Sequence, residues 1–336
     1  MKSPLPVRDG VNATRLRLPA EGPWETALDY MLHRWGHVDP EGILARFDGG
    51  EIVAADGSPL SRRTPLEEHT FIWYYRTLPA EERLPVEVSV LYRDEHLLVA
   101  DKPHFLPTTP GGTYIQESAL VRLRNQLDLP DLVPMHRLDR MTAGVLLFSV
   151  NPETRGRYQV LFERRAVRKE YECVSALAPS GLDPAGGAHD AEWAAQRFGA
   201  PAVVRNRMVK SRDYLLASVV DGEPNAETKV TLERVGGPAD APRALFRLEP
   251  HTGKTHQLRV HMAGLGAGIM NDPFYPELLD KAPDDFARPL QLLARGIRFR
   301  DPLTGRDVEY RSELTLQEAP DWLARTSPLH GQPAHT

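Results

Sequence analysis

The stretch His136-Arg137-Leu138-Asp139-Arg140-Met141-Thr142-Ala143-Gly144 holds one carboxylate between two arginines, and Val145-Leu146-Leu147-Phe148 follows at once. The apolar run reads as a buried strand, so Asp139 is expected at a strand mouth, inside positive charge. Nearby cations favour the ionised carboxylate at neutral pH. An aspartate in that state is available as a nucleophile or a base. A surface Arg-Asp-Arg ion pair with no chemistry fits the same residues. What separates the two readings lies elsewhere in the chain.

Three further blocks follow the same logic of short polar motifs beside apolar runs. The first is Val90-Leu91-Tyr92-Arg93-Asp94-Glu95-His96-Leu97-Leu98-Val99-Ala100-Asp101-Lys102-Pro103. The second is Arg168-Lys169-Glu170-Tyr171, and the third is Thr252-Gly253-Lys254-Thr255-His256-Gln257-Leu258-Arg259-Val260-His261. Asn271-Asp272-Pro273-Phe274-Tyr275 comes after them. In order, these resemble the signatures of the RluA-type pseudouridine synthases: His-Arg-Leu-Asp-x-x-Thr-Ser/Ala-Gly, a strand-turn-strand opening, Lys-x-Tyr, and Gly-Arg-Thr-His-Gln-Ile-Arg-Val-His. The blocks span about residues 88–310.

The resemblance implies a reaction and a set of roles. Uridine's glycosidic bond is cleaved, the base turns, and it is rejoined through carbon 5. No cofactor and no metal are needed, because the uracil ring itself accepts and returns the charge. Asp139 matches the family's catalytic aspartate; whether it attacks the ring or the anomeric carbon, or removes a sugar proton, stays open. Tyr171 matches the tyrosine that stacks under the target base. Arg259 matches the arginine that pairs with the aspartate, where a planar fork fixes a carboxylate better than lysine does. Arg137, Arg140, Lys169, Lys254 and His256 are the expected RNA contacts. Arg140 is taken as the side chain that fills the space left by an extruded base. His136 is expected to hydrogen-bond within its loop, and His261, like His256, to position neighbours. Two departures from the pattern are Lys254 in place of arginine, which weakens bidentate phosphate contact but keeps the charge, and Ala143 in place of serine.

Composition bounds these expectations. The chain has 336 residues, 41% apolar and 26% charged, which suits one large domain and a small one. Cys173 is the single cysteine, so no intrachain disulfide forms, and a core thiol in a reducing cytoplasm is expected. No apolar run approaches the roughly 20 residues of a membrane span, and the N-terminus lacks the apolar stretch of a secretory signal. The net charge of −5 argues mildly against nucleic acid. Its distribution argues the other way. Arg155, Arg157, Arg164, Arg165, Arg168 and Lys169 face only Glu153, Glu163 and Glu170 between 151 and 170, with Arg122, Arg124, Arg137 and Arg140 before them. Such a strip can grip phosphates, although a solvated helix face has the same composition.

Along the chain, residues 1–20 read as a polar arm without sustained period. Residues 21–77 read as a small auxiliary α/β domain: a helical pattern from Trp24 to about Arg46, short strands around Gly49-Gly50 and Asp56-Gly57, and an aromatic strand at His69–Tyr75. It loosely resembles a worn α-L RNA-binding module, in which Trp73, Tyr74 and Tyr75 are candidates for base stacking and, equally, for core. Residues 78–86 read as a linker, 87–325 as the catalytic domain, and 326–336 as a flexible tail. Strands are expected at 97–100, 144–150, 170–176, 228–235, 244–249 and 257–262, helices at about 116–127 and 154–165, and a surface excursion at 177–200. Short strands without βαβ alternation indicate an α+β domain on a largely antiparallel mixed sheet with flanking helices.

Two other classes compete. His251, His256 and His261 are spaced by five, which tempts a metal assignment, but on a strand alternate faces would separate them and no His-Glu-x-x-His or cysteine pair is present. An RNA-binding protein of the same fold that has lost catalysis would be expected to lack Asp139, Tyr171 or Arg259, and all three are present. The reading is therefore a monomeric, cytoplasmic RNA pseudouridine synthase acting on ribosomal or transfer RNA.

Overall fold

Leu97–Ala100 and Val145–Phe148 are unbroken apolar runs, and every residue in them is buried. Runs of this kind suit strands covered on both faces. They form β4 (Leu97–Lys102) and β6 (Ala143–Ser149), which pair antiparallel with Leu98 opposite Phe148. The structure, a computed structural model, describes residues 3–78, 80–177, 190–211, 216–238, 240–280 and 282–320. The expected tail lies outside those residues, as does half of the expected excursion at 177–200.

Two compact units divide the chain. The second holds Leu84–Thr108 and the residues from Val133 onward. Its sheet has eleven strands. The remaining ones are β3 (Ser89–Arg93), β5 (Val133–Pro134), β7 (Arg168–Ala176), β8 (Ala202–Lys210) and β9 (Ala217–Val220). They are completed by β10 (Ala226–Gly236), β11 (Arg243–Pro250), β12 (Leu292–Arg300) and β13 (Asp307–Arg311). The order is β3-β4-β6-β12-β7-β11-β10-β8-β9, with β13 added to β12 and β5 to β6. The pairing of β6 with β12 is parallel and the other pairings are antiparallel. Helices α4 (Arg155–Glu163), α5 (Ala191–Arg197) and α6 (Gln257–Gly264) flank it. This is the expected α+β domain on a largely antiparallel mixed sheet.

The parallel joint explains Gly144. Its φ is +112°, and a β-carbon there would stand 2.2 Å from the Ala294 carbonyl oxygen of β12. Only glycine permits that backbone and that approach. The residue that closes the Asp139 loop is thus fixed by sheet geometry.

Residues 257–262 form a helix, not the expected strand. Leu258, Val260 and Met262 alternate as a strand would, but Leu258 and Met262, four apart, enter one apolar cluster. Gln257 and His261, also four apart, both reach the Thr228 hydroxyl of β10. The strand argument against a shared histidine site therefore lapses, but among the described residues no group of His, Cys, Asp and Glu is placed to hold a metal.

The first unit holds residues up to Arg83 together with Thr109–Leu132. Residues 109–132, read from the sequence as part of the later domain, pack here. The unit contains β1 (Thr14–Arg17), α1 (Ala27–Trp35), α2 (Pro40–Asp48), β2 (Phe71–Tyr74) and α3 (Ala119–Leu127). Thr26 and Asp29 cap α1 reciprocally, and Asp39 before Pro40 caps α2. The expected arm is not featureless: β1 pairs antiparallel with β2. Trp73 and Tyr74 are buried, so they are core and not a stacking platform. Tyr75 donates its hydroxyl proton to the Pro6 carbonyl and lies under the Arg8 guanidinium. Arg124 is buried as well, donating to the carbonyls of Leu132 and Gly10, and Arg122 pairs with Glu117. These two arginines belong to the scaffold, and the supposed basic strip shortens accordingly.

Candidate active site

The loop that carries Asp139 is held from beneath by the residues that leave β4. Lys102 is fully buried, and its ammonium donates to the carbonyls of Pro103 at 2.9 Å, Leu106 at 2.8 Å and Arg140 at 3.3 Å. Burial lowers its pKa to about 7, against the pull of the Asp139 charge. Thr108 donates to the Leu138 carbonyl at 2.9 Å and accepts from the Leu138 amide at 3.1 Å. His104 Nδ1 lies 2.6 Å from the Met141 carbonyl. His136 accepts the Leu147 amide of β6 at 3.1 Å, so its hydrogen bond goes to the strand and not within the loop. Each contact fixes backbone and leaves the Asp139 carboxylate free to face outward.

It faces a cavity of about 490 Å³ whose lining includes Asp139, Tyr171, Arg259, His256, Lys169 and Lys254. Asp139 Oδ2 is 3.9 Å from Arg259 Nη1 and 3.9 Å from His256 Nε2. Tyr171, on β7 opposite Leu248, supplies a wall. Burial, reinforced by the Asp139 charge, raises the Tyr171 pKa, so the phenol keeps its proton at neutral pH. Arg137 is exposed and belongs to the lining. Arg140 does not; its guanidinium is held in a fork by Asp284 at 2.6 and 2.8 Å.

Arg259 makes its primary pair with a residue the sequence reading did not single out for the site. Its Nε donates to Asp272 Oδ2 at 2.7 Å and its Nη2 to Asp272 Oδ1, and both side chains are 1% exposed. Asp272 Oδ1 also accepts the amides of Phe274 at 2.9 Å and Tyr275 at 3.3 Å. Asp272 orients Arg259, and Arg259 faces Asp139 with the remaining nitrogen. Tyr275 is the second unanticipated residue. Its hydroxyl accepts the Ala217 amide at 2.8 Å, donates to the Ala217 carbonyl at 3.1 Å, and lies 3.0 Å from His256 Nδ1. With the hydroxyl proton directed at Ala217, His256 Nδ1 is the donor and Nε2 is turned to Asp139. Both residues stood in the Asn271–Tyr275 block; that block was visible, but its partners were not.

His261 gives α6 an expected pH dependence. Gln257 donates to Thr228 Oγ1 at 2.9 Å, the Thr228 hydroxyl lies 2.9 Å from His261 Nδ1, and Nε2 lies 3.1 Å from Asn206 Oδ1. The chain of donors fixes neutral His261, and burial lowers its pKa to about 4. Below pH 6.5 the unfolded chain takes up a proton that the native state refuses, so stability falls as pH drops toward 4. The expected loss from this residue between pH 7 and pH 5 is about 2 kcal/mol. Urea midpoints at the two pH values measure it; an equal drop in wild type and His261→Gln would count against the assignment.

The fold is similar to that of the human RNA pseudouridylate synthase domain containing 1, with a TM-score of 0.51 and 22% identity, over 69% of this chain and 86% of that one. The chain belongs to the RNA pseudouridylate synthase family, whose model matches residues 96–264. It is 31% identical over 228 residues to the dual-specificity RNA pseudouridine synthase RluA of Salmonella typhi, covering 66% of this chain and 91% of that protein. It is 28% identical over 248 residues to an uncharacterized RNA pseudouridine synthase of Synechocystis, covering 74% and 78%. The protein is thus an enzyme that isomerises uridine in RNA to pseudouridine. Among the described residues no helix is long and apolar enough to cross a membrane.

Proposed function

We propose that Asp139 is the catalytic carboxylate, that Tyr171 and Arg259 complete the catalytic set, and that the substrate is a specific uridine in ribosomal or transfer RNA. One observation supports the residue assignment above the rest: the Asp139 carboxylate faces the cavity 3.9 Å from both Nη1 of the buried Arg259 and Nε2 of His256. A relative named ribosomal large subunit pseudouridine synthase D, 27% identical over 244 residues, supports keeping ribosomal RNA in view. Lys169, Lys254 and His256 contact the RNA around the target. We give Arg137 the task of filling the stack that the extruded base leaves, because it stands at the cavity while Arg140 is held by Asp284. The enzyme works as a cytoplasmic monomer, and its target lies in a loop or an easily opened stem, where extrusion costs least.

Pseudouridine mapping of total RNA from cells with and without the gene tests this. The expected result is loss of a single site from ribosomal or transfer RNA, restored by the wild-type gene and not by Asp139→Asn. Loss confined to messenger RNA would overturn the substrate assignment.

A further inference from the structure

We propose that a second cavity beside the catalytic one is a subsite for the phosphodiester joining the target uridine to its neighbour, an inference that rests on the function proposed above. This cavity, of about 270 Å³, shares Lys169, Thr252, Gly253 and Lys254 with the lining of the catalytic cavity. The two form one trough. Its outer part adds Arg165 and His251, with Glu163 as the acidic side chain in the lining. Glu227 also faces Arg165 and His251 but is engaged by Arg205 at 2.8 Å. Among the described residues Lys169 and Lys254 have no carboxylate partner; Lys169 is half-buried against the Phe162 ring, its pKa lowered by desolvation. A trough with unpaired cations and a partly desolvated ammonium is completed by an anion brought from outside.

Gly253 stands where the two cavities meet and is exposed. Its backbone is not left-handed, and a β-carbon there would meet no protein atom within 4 Å. Neither chain geometry nor packing requires glycine at this point. What a side chain would occupy is the passage between the cavities, which a nucleic-acid backbone entering both must cross.

Two variants and one chemical substitution test the subsite, each read by binding and by turnover on a synthetic RNA stem-loop with a loop uridine. Gly253→Leu is expected to fold with unchanged Tm and to raise KM at least about tenfold, with kcat within about twofold. Arg165→Gln/His251→Gln is expected to weaken binding about tenfold and to lower the slope of log Kd against log salt by about 1. Methylphosphonate at the linkage 5′ or 3′ of the uridine removes one charge. One of the two linkages should cost the wild type about tenfold and the double variant nothing further. If both linkages cost the double variant as much as the wild type, or if Gly253→Leu binds RNA normally, the subsite is wrong. A wild type that makes no pseudouridine in any ribosomal or transfer RNA overturns the function reading instead, and the binding arm still decides the subsite.

Discussion

Asp139→Asn lowers the single-turnover rate of pseudouridine formation by a factor on the order of 10⁴ while RNA affinity stays within about threefold of wild type. The structure explains why the loss is confined to chemistry. Asparagine keeps the size and the hydrogen-bonding shape of the side chain, and the loop around it is fixed through backbone groups by Lys102, Thr108 and His104. Arg259 is not left bare, because its fork belongs to Asp272. The Asp139 side chain is 36% exposed, so solvent screening limits what its charge contributes to the buried Lys102 and Arg259. Tm should therefore be unchanged. Product formed at a rate within tenfold of wild type would remove Asp139 from the catalytic role and return attention to His256.

That loop was legible because its chemistry is contiguous. Asp139, its flanking arginines, Gly144 and the buried run of β6 all fall within a few residues, and the same holds for Lys169 and Tyr171. What spans the fold was not legible. No spacing rule says which carboxylate a buried arginine will take, and the resemblance pointed Arg259 to Asp139 when the shorter pair is with Asp272. The helix at 257–264 is hidden in the sequence because Leu258, Val260 and Met262 satisfy a period of two as well as they satisfy helix contacts. Only Gln257 and His261, converging on Thr228 from four residues apart, decide it. In the first unit β1 is too short to announce itself and exists by pairing with β2. Arg124 illustrates the limit of charge counting, since a basic residue read as part of a phosphate grip is 5% exposed and bonded to carbonyls.

The Arg259–Asp272 pair carries the largest expected effect on stability as well as a separate effect on rate. Asp272→Asn replaces one acceptor oxygen with an amide that donates, and a guanidinium offers only donors. The buried cation then loses half of its fork and its counter-charge together. Breaking a buried pair from one side costs about 3–5 kcal/mol, because an uncompensated charge remains in low dielectric. Urea unfolding should show that loss. Arg259 in the variant is also free to turn toward Asp139, so kcat should fall about 10- to 100-fold with KM little changed. The double variant Arg259→Met/Asp272→Asn separates the two effects, because asparagine is uncharged yet keeps an oxygen that accepts the Phe274 and Tyr275 amides. Removing both charges abolishes the desolvation penalty, so most of the stability should return. Activity should not, since the guanidinium that faces the Asp139 carboxylate is then gone. A double variant that recovers activity along with stability would show that Arg259 serves only the fold.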